Sequence, residues 1–152
     1  SAASDVYKRQ TLKNDIASIG EWAAFKVTAT ELEETAKNLK IFIYGSIQLA
    51  ENAHEYLPDE LNSNNIAESK MIKHVAWTMV LFKEIPKDKF AKYQYISHDP
   101  EWGGDCAHRL NPDKRYYVGN IDKNRFGEKK KIMFEVNLNQ NIWREVGVCT
   151  RK

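Results

Sequence analysis

The chain has 152 residues, of which 42% are hydrophobic and 29% charged, a composition typical of globular proteins. Its mean hydropathy is −0.62, and no apolar run approaches the roughly 18–20 residues of a membrane span. The two cysteines, Cys106 and Cys149, are too few for a disulfide framework or a zinc site of their own. These features exclude a membrane protein and predict a soluble protein of the cytoplasm.

Residues 1–10 differ in character from the rest of the chain. Residues 5–10 resemble one reading frame of a transposase-end adaptor used in sequencing libraries. We therefore expect the natural sequence to begin near Thr11, with an upstream part missing, and leave residues 1–10 out of the fold prediction. A genuine N-terminal segment is the alternative. No basic segment followed by an apolar one occurs here, so no secretory leader is expected.

Residues 15–39 predict helical structure, because apolar residues recur with a period close to 3.6. Thr30 and Glu33 form a capping-box pattern, so a new helix is expected to begin at Thr30. The apolar run 41–44 is short and rich in β-branched and aromatic residues, which predicts a strand buried on both faces. The polar residues 50–65 predict a loop.

The second half is predicted to contain most of the strands. Residues 66–76 predict a short helix and residues 78–82 a second buried strand. Residues 84–114 contain three of the four prolines and predict a loop with a short strand at 93–96. Three further strands are predicted, at 115–121, 131–137 and 142–148. This order predicts an α/β fold with a mostly parallel sheet and antiparallel edge strands.

Charge is unevenly distributed along the chain. Residues 31–68 carry eight acidic and two basic residues, whereas residues 109–131 carry eight basic and three acidic residues. This asymmetry fits head-to-tail self-association or a basic face that binds nucleic acid. A solvated surface with uneven charge is the alternative.

Three groups of residues are candidates for phosphate chemistry. Gln48 follows the predicted strand 41–44, where an amide can bond a phosphate oxygen or cap backbone groups. Glu68, Ser69 and Lys70 stand near the start of a predicted helix, which either binds an anion or is simply capped by Asn65.

The third group is Lys123-Asn124-Arg125-Phe126-Gly127, between two predicted strands. If the first strand runs through Arg125, the side chains of Lys123 and Arg125 point to the same side. Two adjacent cations suit a phosphate, and an arginine there can neutralise charge that develops during phosphoryl transfer. An exposed basic hairpin tip is the alternative.

The order of these motifs resembles the C-terminal half of a DnaB-type hexameric replicative helicase, over roughly residues 21–148. That family has Ser-Gln-Leu, Glu-Ser-Gly-Ala-Ile and Lys-x-Arg-x-Gly where this chain has residues 47–49, 68–72 and 123–127. Lys70 stands in place of the family's glycine, which with other departures favours a divergent, phage-encoded member. The resemblance implies that residues 11–152 form the C-terminal portion of a RecA-like P-loop ATPase core.

The resemblance also implies roles for the candidate residues. Arg125 would be the arginine finger with Lys123 beside it, Gln48 would sense the γ-phosphate, and residues 68–70 would follow the DNA backbone. The implied partners are single-stranded DNA, the other subunits of a homo-hexamer, a primase and a helicase loader. The implied location is the cytoplasm of a bacterium or of a phage-infected host.

No phosphate-binding loop of the form Gly-x-x-x-x-Gly-Lys-Ser/Thr occurs in the chain. We therefore expect ATP and Mg²⁺ to be bound by the full-length parent, and the chain alone to bind neither and to hydrolyse no ATP. A RecA-like recombination or repair ATPase, and a non-catalytic basic domain that binds nucleic acid, are the alternatives.

Two further clusters point less specifically to function. His, Cys, Asp and Glu residues crowd residues 98–108, but their spacing matches no standard set of metal ligands, and no metal site is predicted. Aromatic residues near basic ones could stack on bases or cover a small core. They are Tyr93, Tyr95, Trp102, Tyr116 and Tyr117.

Overall fold

The computed structural model describes residues 26–66, 72–99, 101 and 103–152. The chain divides into two compact units. The helical unit comprises Ser1–Ala50 and Ile66–Ala76, and the sheet unit comprises Glu51–Asn65 and Trp77–Lys152. Among the described residues, no helix is both long enough and apolar enough to cross a membrane.

Helix α1, residues 26–39, is the main element described in the helical unit. The prediction that a new helix begins at Thr30 is wrong, because α1 runs through this residue. The Thr30 hydroxyl donates to the carbonyl of Lys26 at 2.9 Å instead of capping a helix start. Lys40, with φ 54°, ends the helix, and the Ile41 amide then donates to the Ala36 carbonyl at 3.1 Å.

The strand predicted at residues 41–44 is absent, because residues 41–48 form neither helix nor strand. Phe42 and Tyr44 are 89% and 92% exposed, so the run is not buried. A strand needs a hydrogen-bonded neighbour, and none pairs with this run in the described part of the chain. An isolated bridge joins Leu49 to Ile66, and helix α2 spans Ile72–Val75.

The sheet unit contains a six-stranded sheet in which every neighbouring pair is antiparallel. The spatial order is β1-β4-β5-β6-β2-β3. The strands are β1 (Thr78–Glu84), β2 (Tyr93–Asp99), β3 (Gly104–Arg109), β4 (Arg115–Asn124), β5 (Lys131–Asn137) and β6 (Ile142–Arg151). The predicted α/β fold with a mostly parallel, RecA-like sheet is therefore wrong.

Connection length explains the antiparallel arrangement. Parallel neighbours need a crossover of roughly a dozen residues or more, whereas a short turn reverses the chain. The turns after β4 and β5 span only residues 125–130 and 138–141. The predicted strands at 78–82, 115–121, 131–137 and 142–148 all exist, but 78–82 lies at an edge of the sheet rather than in a buried centre.

Most of the predicted loop 84–114 is a hairpin of β2 and β3. Asp99 closes its turn: the carboxylate accepts the Glu101 amide at 2.8 Å and the carbonyl accepts the Gly103 amide at 2.9 Å. Asn111 builds the turn into β4 in the same way, accepting the Asp113 amide at 2.9 Å. The turn-forming residues therefore separate strands. The short strand predicted at 93–96 is present within β2, whereas β3 was not predicted because turn-forming residues lie close to both of its ends.

One face of the sheet, the inner face, carries the hydrophobic core. Side chains directly opposite one another in antiparallel strands share a face, so Val118 and its partner Met133 both lie in this core and are fully buried. The principal buried cluster consists of Ile85, Tyr93, Leu110, Tyr116, Val118, Met133 and Cys149.

Residues 51–65, predicted as a loop, form three short 3₁₀ turns that supply buried residues such as Leu61. Side chains from the strands hold this covering segment through its backbone. Lys83 donates its ammonium to the carbonyls of Ala53, His54 and Tyr56, Asn120 donates to the Leu61 carbonyl, and Asp122 accepts the Ser63 amide at 2.9 Å. These bonds satisfy backbone groups that would otherwise be costly to bury.

Asp59 is the strongest anchor of the covering segment. The Arg151 guanidinium donates to both Asp59 carboxylate oxygens at 2.8 Å, and the hydroxyl of the fully buried Tyr93 donates to the same carboxylate at 2.6 Å. Burial raises the pKa of Asp59, but the bonds from Arg151 and Tyr93 outweigh burial and hold the pKa below its usual value.

We expect Asp59→Asn to lower the free energy of unfolding at pH 7 by about 1.5–3 kcal/mol, because it removes charge-assisted hydrogen bonds to Arg151 and Tyr93. A carboxylate whose pKa is lowered by folding stabilises the fold above its unfolded pKa, and that stabilisation is lost as the pH falls through the folded value. The difference between the variant and wild type should therefore shrink below about pH 4. Urea unfolding at pH 7 and at pH 3 measures it.

Asp88→Asn is the matched control, because Asp88 is 68% exposed in its ion pair with Lys89. It should change the free energy of unfolding by less than about 0.5 kcal/mol. Equal stability of wild type and Asp59→Asn at pH 7 would contradict the role of Asp59 as an anchor.

Candidate nucleic-acid interface

The β4–β5 turn, residues 125–130, is shaped by Asn124 at the end of β4. The Asn124 side chain accepts the Phe126 amide at 3.3 Å and donates to the Glu128 carbonyl at 3.4 Å. A Cβ on Gly127 would lie 2.7 Å from Asn124 Nδ2, so glycine lets the backbone pass close to this side chain. All six turn residues are exposed to solvent.

Trp77, immediately before β1, connects this edge strand to the turn. Its carbonyl accepts the Arg125 amide at 3.0 Å, and the Arg125 guanidinium carbon lies 5.6 Å from the centre of its ring. This distance is within the range of a cation–π interaction. The Phe126 ring lies edge-on at 5.3 Å from the same ring. We refer to Trp77, Arg125 and Phe126 as the Trp77 cluster.

The Trp77 cluster remains accessible although its members contact one another. Phe126 is 78% exposed and Trp77 is 39% exposed. Exposed aromatic rings with a bound cation offer both an apolar surface and a positive charge to a ligand. A planar, anionic ligand such as a nucleotide fits both properties.

Basic residues outnumber acidic ones around the turn. Glu128 is paired with Lys130 at 2.9 Å, and this nearby ammonium lowers the pKa of Glu128. Asp122 is bonded to the covering segment through the Ser63 amide. The local charge is therefore positive. The basic residues are Lys123, Arg125, Lys129, Lys130 and Lys131.

The structure brings Lys123 and Arg125 to the same end of β4. Lys123 lies in β4 opposite Met79, and β4 ends at Asn124. The assumption that the strand runs through Arg125 is therefore wrong, and strand alternation does not relate the two side chains. Arg125 lies in the turn, which is the exposed hairpin tip that the sequence offered as the alternative.

The other predicted site residues lie elsewhere. Gln48 is exposed in residues 41–48 of the helical unit and does not follow a strand, because the strand predicted before it is absent. Glu68, Ser69 and Lys70, predicted to contact DNA, lie outside the described residues. The structure therefore gives Gln48 no position at the end of a sheet strand.

The aromatic residues singled out in the sequence mostly belong to the core. Tyr93 is fully buried, Tyr116 is 2% exposed, and Tyr95 stacks on His108 with ring centres 4.9 Å apart. Tyr117 lies on the opposite face of the sheet, and Trp102 is outside the described residues. The sequence left two roles open for these rings, stacking on bases or packing in a small core. Tyr93 and Tyr116 pack in the core.

Trp77 and Phe126 were missed as candidate site residues. Phe126 stands inside the motif from Lys123 to Gly127, in which the charged positions alone indicate phosphate chemistry. An aromatic residue next to Arg125 in a predicted turn is the sequence feature that indicates Phe126. Trp77 gave no such signal, because its contact with Arg125 depends on the pairing of β1 with β4.

The cluster at residues 98–108 lies on the β2–β3 hairpin, around an open depression of about 340 Å³. Ser97 Oγ lies 2.9 Å from His108 Nε2, and His98 lies 3.3 Å from Asp105. His98 and His108 belong to opposite faces of the hairpin, since their cross-strand partners are Asp105 and Tyr95. In the described part of the chain, no three His, Cys, Asp or Glu residues are arranged to hold a metal ion.

Comparison with known proteins adds no relative: no family model, no curated protein and no solved structure matches this chain.

The two cysteines should differ sharply in reactivity. Cys106 is exposed, whereas Cys149 is buried in the core and burial raises its pKa to about 12. At pH 8 only about one Cys149 thiol in 10⁴ is then ionised. We expect a disulfide-exchange reagent to label one thiol per folded chain quickly, and the second only after denaturation. Fast labelling that persists in Cys106→Ser would contradict this assignment.

Proposed function

We propose that the sheet unit binds single-stranded nucleic acid through the β4–β5 turn. The observation that carries this proposal is the exposed Trp77 cluster, in which the Trp77 ring contacts both the Arg125 guanidinium and the Phe126 ring beside a group of lysines. This is the non-catalytic alternative that the charge distribution left open. Neither fold nor sequence similarity contributes to it.

The chemistry of the turn suits both parts of a nucleotide. Arg125, Lys129 and Lys130 supply positive charge for phosphates, which dominate the affinity of proteins for nucleic acids. Phe126 supplies an exposed ring on which a base can stack. Backbone phosphates fix the position of the strand, and stacking adds affinity with little sequence preference.

Stacking on Phe126 favours a single strand over a duplex. Bases in a duplex already stack on their neighbours, and exposing one costs a few kcal/mol. A single strand presents unstacked bases directly. The exposed position of Phe126 at the tip of a hairpin gives such a base access from the solvent.

A helicase subunit is the second candidate function, and one observation favours it. Arg125 is exposed at the tip of a hairpin, bonded through its backbone to Trp77. An arginine finger needs this kind of position, because it must reach the nucleotide of a neighbouring subunit. The antiparallel sheet removes the support expected from a RecA-like fold, so this candidate rests on Arg125 and on the order of motifs.

Binding by the turn predicts that Arg125→Ala weakens affinity for a fluorescent oligo(dT) roughly 5- to 30-fold, because it removes a charge and a stacking plane. The slope of log K against log salt concentration should fall in magnitude by about 0.7 for each phosphate that the variant no longer neutralises. Fluorescence anisotropy at several salt concentrations measures both quantities. Arg144→Ala, an exposed arginine on β6, is the matched control and should change neither. Equal effects of the two variants would overturn the proposal.

The helicase candidate predicts a different effect of the same substitution. In a longer protein that contains this chain and a phosphate-binding loop, Arg125→Ala should lower ATP turnover by roughly 10³–10⁵. Nucleotide affinity should change only a few-fold, because a finger acts on charge that appears in the transition state. Mixing Arg125→Ala subunits with subunits lacking a working phosphate loop should restore some activity. Turnover near wild type with weakened DNA binding would instead support the turn as a nucleic-acid contact.

A further inference from the structure

The face of the sheet opposite the core, the outer face, carries an aromatic cluster. Its rings contact one another across four strands: Phe82 and Phe134 have centres 5.7 Å apart, Phe82 and Trp143 5.9 Å, and Tyr117 and Trp143 4.9 Å. They belong to β1, β4, β5 and β6, which are adjacent in the sheet. We call Phe82, Tyr117, Phe134 and Trp143 the aromatic face.

Gly119 explains how the rings of the aromatic face lie. It is opposite Phe82 on β1 and next to β5. A Cβ at this position would be 2.9 Å from a ring carbon of Phe134 and 3.0 Å from one of Phe82. Because Gly119 has no side chain, the rings of Phe82 and Phe134 can pack closely against the backbone of β4.

The aromatic face is half exposed, unlike the core on the inner face. Phe82 is 46% exposed and Trp143 is 43% exposed. Large rings left in water cost free energy roughly in proportion to their exposed apolar area. A contiguous exposed apolar patch of this kind commonly marks a surface that binds a partner.

The aromatic face lies on the same strands that lead to the basic turn. Phe82 is five residues from Trp77, or about 17 Å at roughly 3.3 Å per residue. Val80 and Ile121 are opposite one another on β1 and β4 and extend the apolar surface of the outer face towards the turn. The basic turn and the aromatic face are therefore both reached along β1 and β4.

Acidic groups on the outer face limit where phosphates can lie. Glu84 is 3.3 Å from Arg115 and accepts the Tyr117 hydroxyl at 3.1 Å, so its charge is partly compensated. Glu145, a residue of β6, is opposite Phe134 on β5. Phosphates are therefore favoured at the basic turn, and the rings are left for groups without charge.

We propose that the bases of a bound single strand stack on the aromatic face, on Phe82 and Trp143, while its phosphates contact the β4–β5 turn. This inference rests on the proposed function and extends it from one turn to a platform that spans several nucleotides. Its basis is that the exposed rings lie on β1 and β6 while the basic turn joins β4 to β5, and these four strands are adjacent in the sheet. Each base contributes by its ring face, so the platform accepts any base sequence.

A protein with Trp143 as its only tryptophan tests the stacking directly. The variant Trp22→Phe/Trp77→Phe/Trp102→Phe removes the other three tryptophans and keeps an aromatic ring at position 77, beside the turn. A stacked thymine should quench Trp143 emission during titration with a twelve-residue oligo(dT), with the same midpoint as the anisotropy of the labelled oligonucleotide. Binding by anisotropy with unchanged Trp143 emission would overturn the platform but leave the proposed function standing.

Affinity measurements supply the second test. Trp143→Leu keeps an apolar side chain in β6 and should weaken binding to oligo(dT) roughly 5- to 150-fold, the range for removal of one stacking ring. Ile142→Ala is the matched control: Ile142 is the neighbouring residue, 48% exposed, and points to the other face. Circular dichroism and melting establish that both variants fold. An unchanged affinity of folded Trp143→Leu would overturn the platform.

Three other outcomes separate this inference from its alternatives. If wild type binds no oligo(dT) at all, the proposed function and the platform both fail. If sedimentation shows a dimer that Trp143→Leu dissociates, while oligo(dT) affinity is unaltered, the aromatic face joins two copies of the chain and the platform is wrong. If Arg125→Ala weakens binding but Trp143→Leu does not, only the turn is used.

Discussion

The sheet unit depends on the covering of its inner face by residues 51–65. This segment is polar and contains no α-helix or strand, so its backbone can be buried only where side chains satisfy it. Lys83 donates hydrogen bonds to three carbonyls of the segment, and Arg151 and Tyr93 both donate to the Asp59 carboxylate. The apolar side chains of the strands provide most of the driving force, and these polar contacts determine which segment covers them.

Both faces of the sheet carry apolar side chains. Residues 51–65 cover the inner face, and the aromatic rings on the outer face stay partly exposed. The same pairing of β1 with β4 that buries Met79 and Leu81 on the inner face places Phe82 on the outer face. It also brings Trp77 beside Arg125 at the end of the hairpin. The positions of Trp77 beside the basic turn and of Phe82 in the aromatic face are thus consequences of one strand pairing.

Strand positions in the second half followed closely from sequence, because alternation and turn residues are local signals. All four strands predicted at 78–82 and beyond residue 114 are present. The fold class did not follow, because an alternating order of helix and strand patterns predicts parallel pairing, whereas the short connections make the strands antiparallel. The run 41–44 shows the limit of composition: it is apolar and β-branched, yet it forms no strand in the described part of the chain, because a strand needs a neighbour as well as a propensity.

The sequence by itself determined the basic character of residues 123–131 and the position of Arg125 next to a glycine-containing turn. Charge and turn propensity are properties of the residues themselves, so they do not depend on how the strands pair. Only the tertiary structure decided which aromatic rings are accessible. Tyr93 and Phe82 look equivalent in sequence, but the register of the sheet buries the first and exposes the second, because a shift of one residue exchanges the two faces.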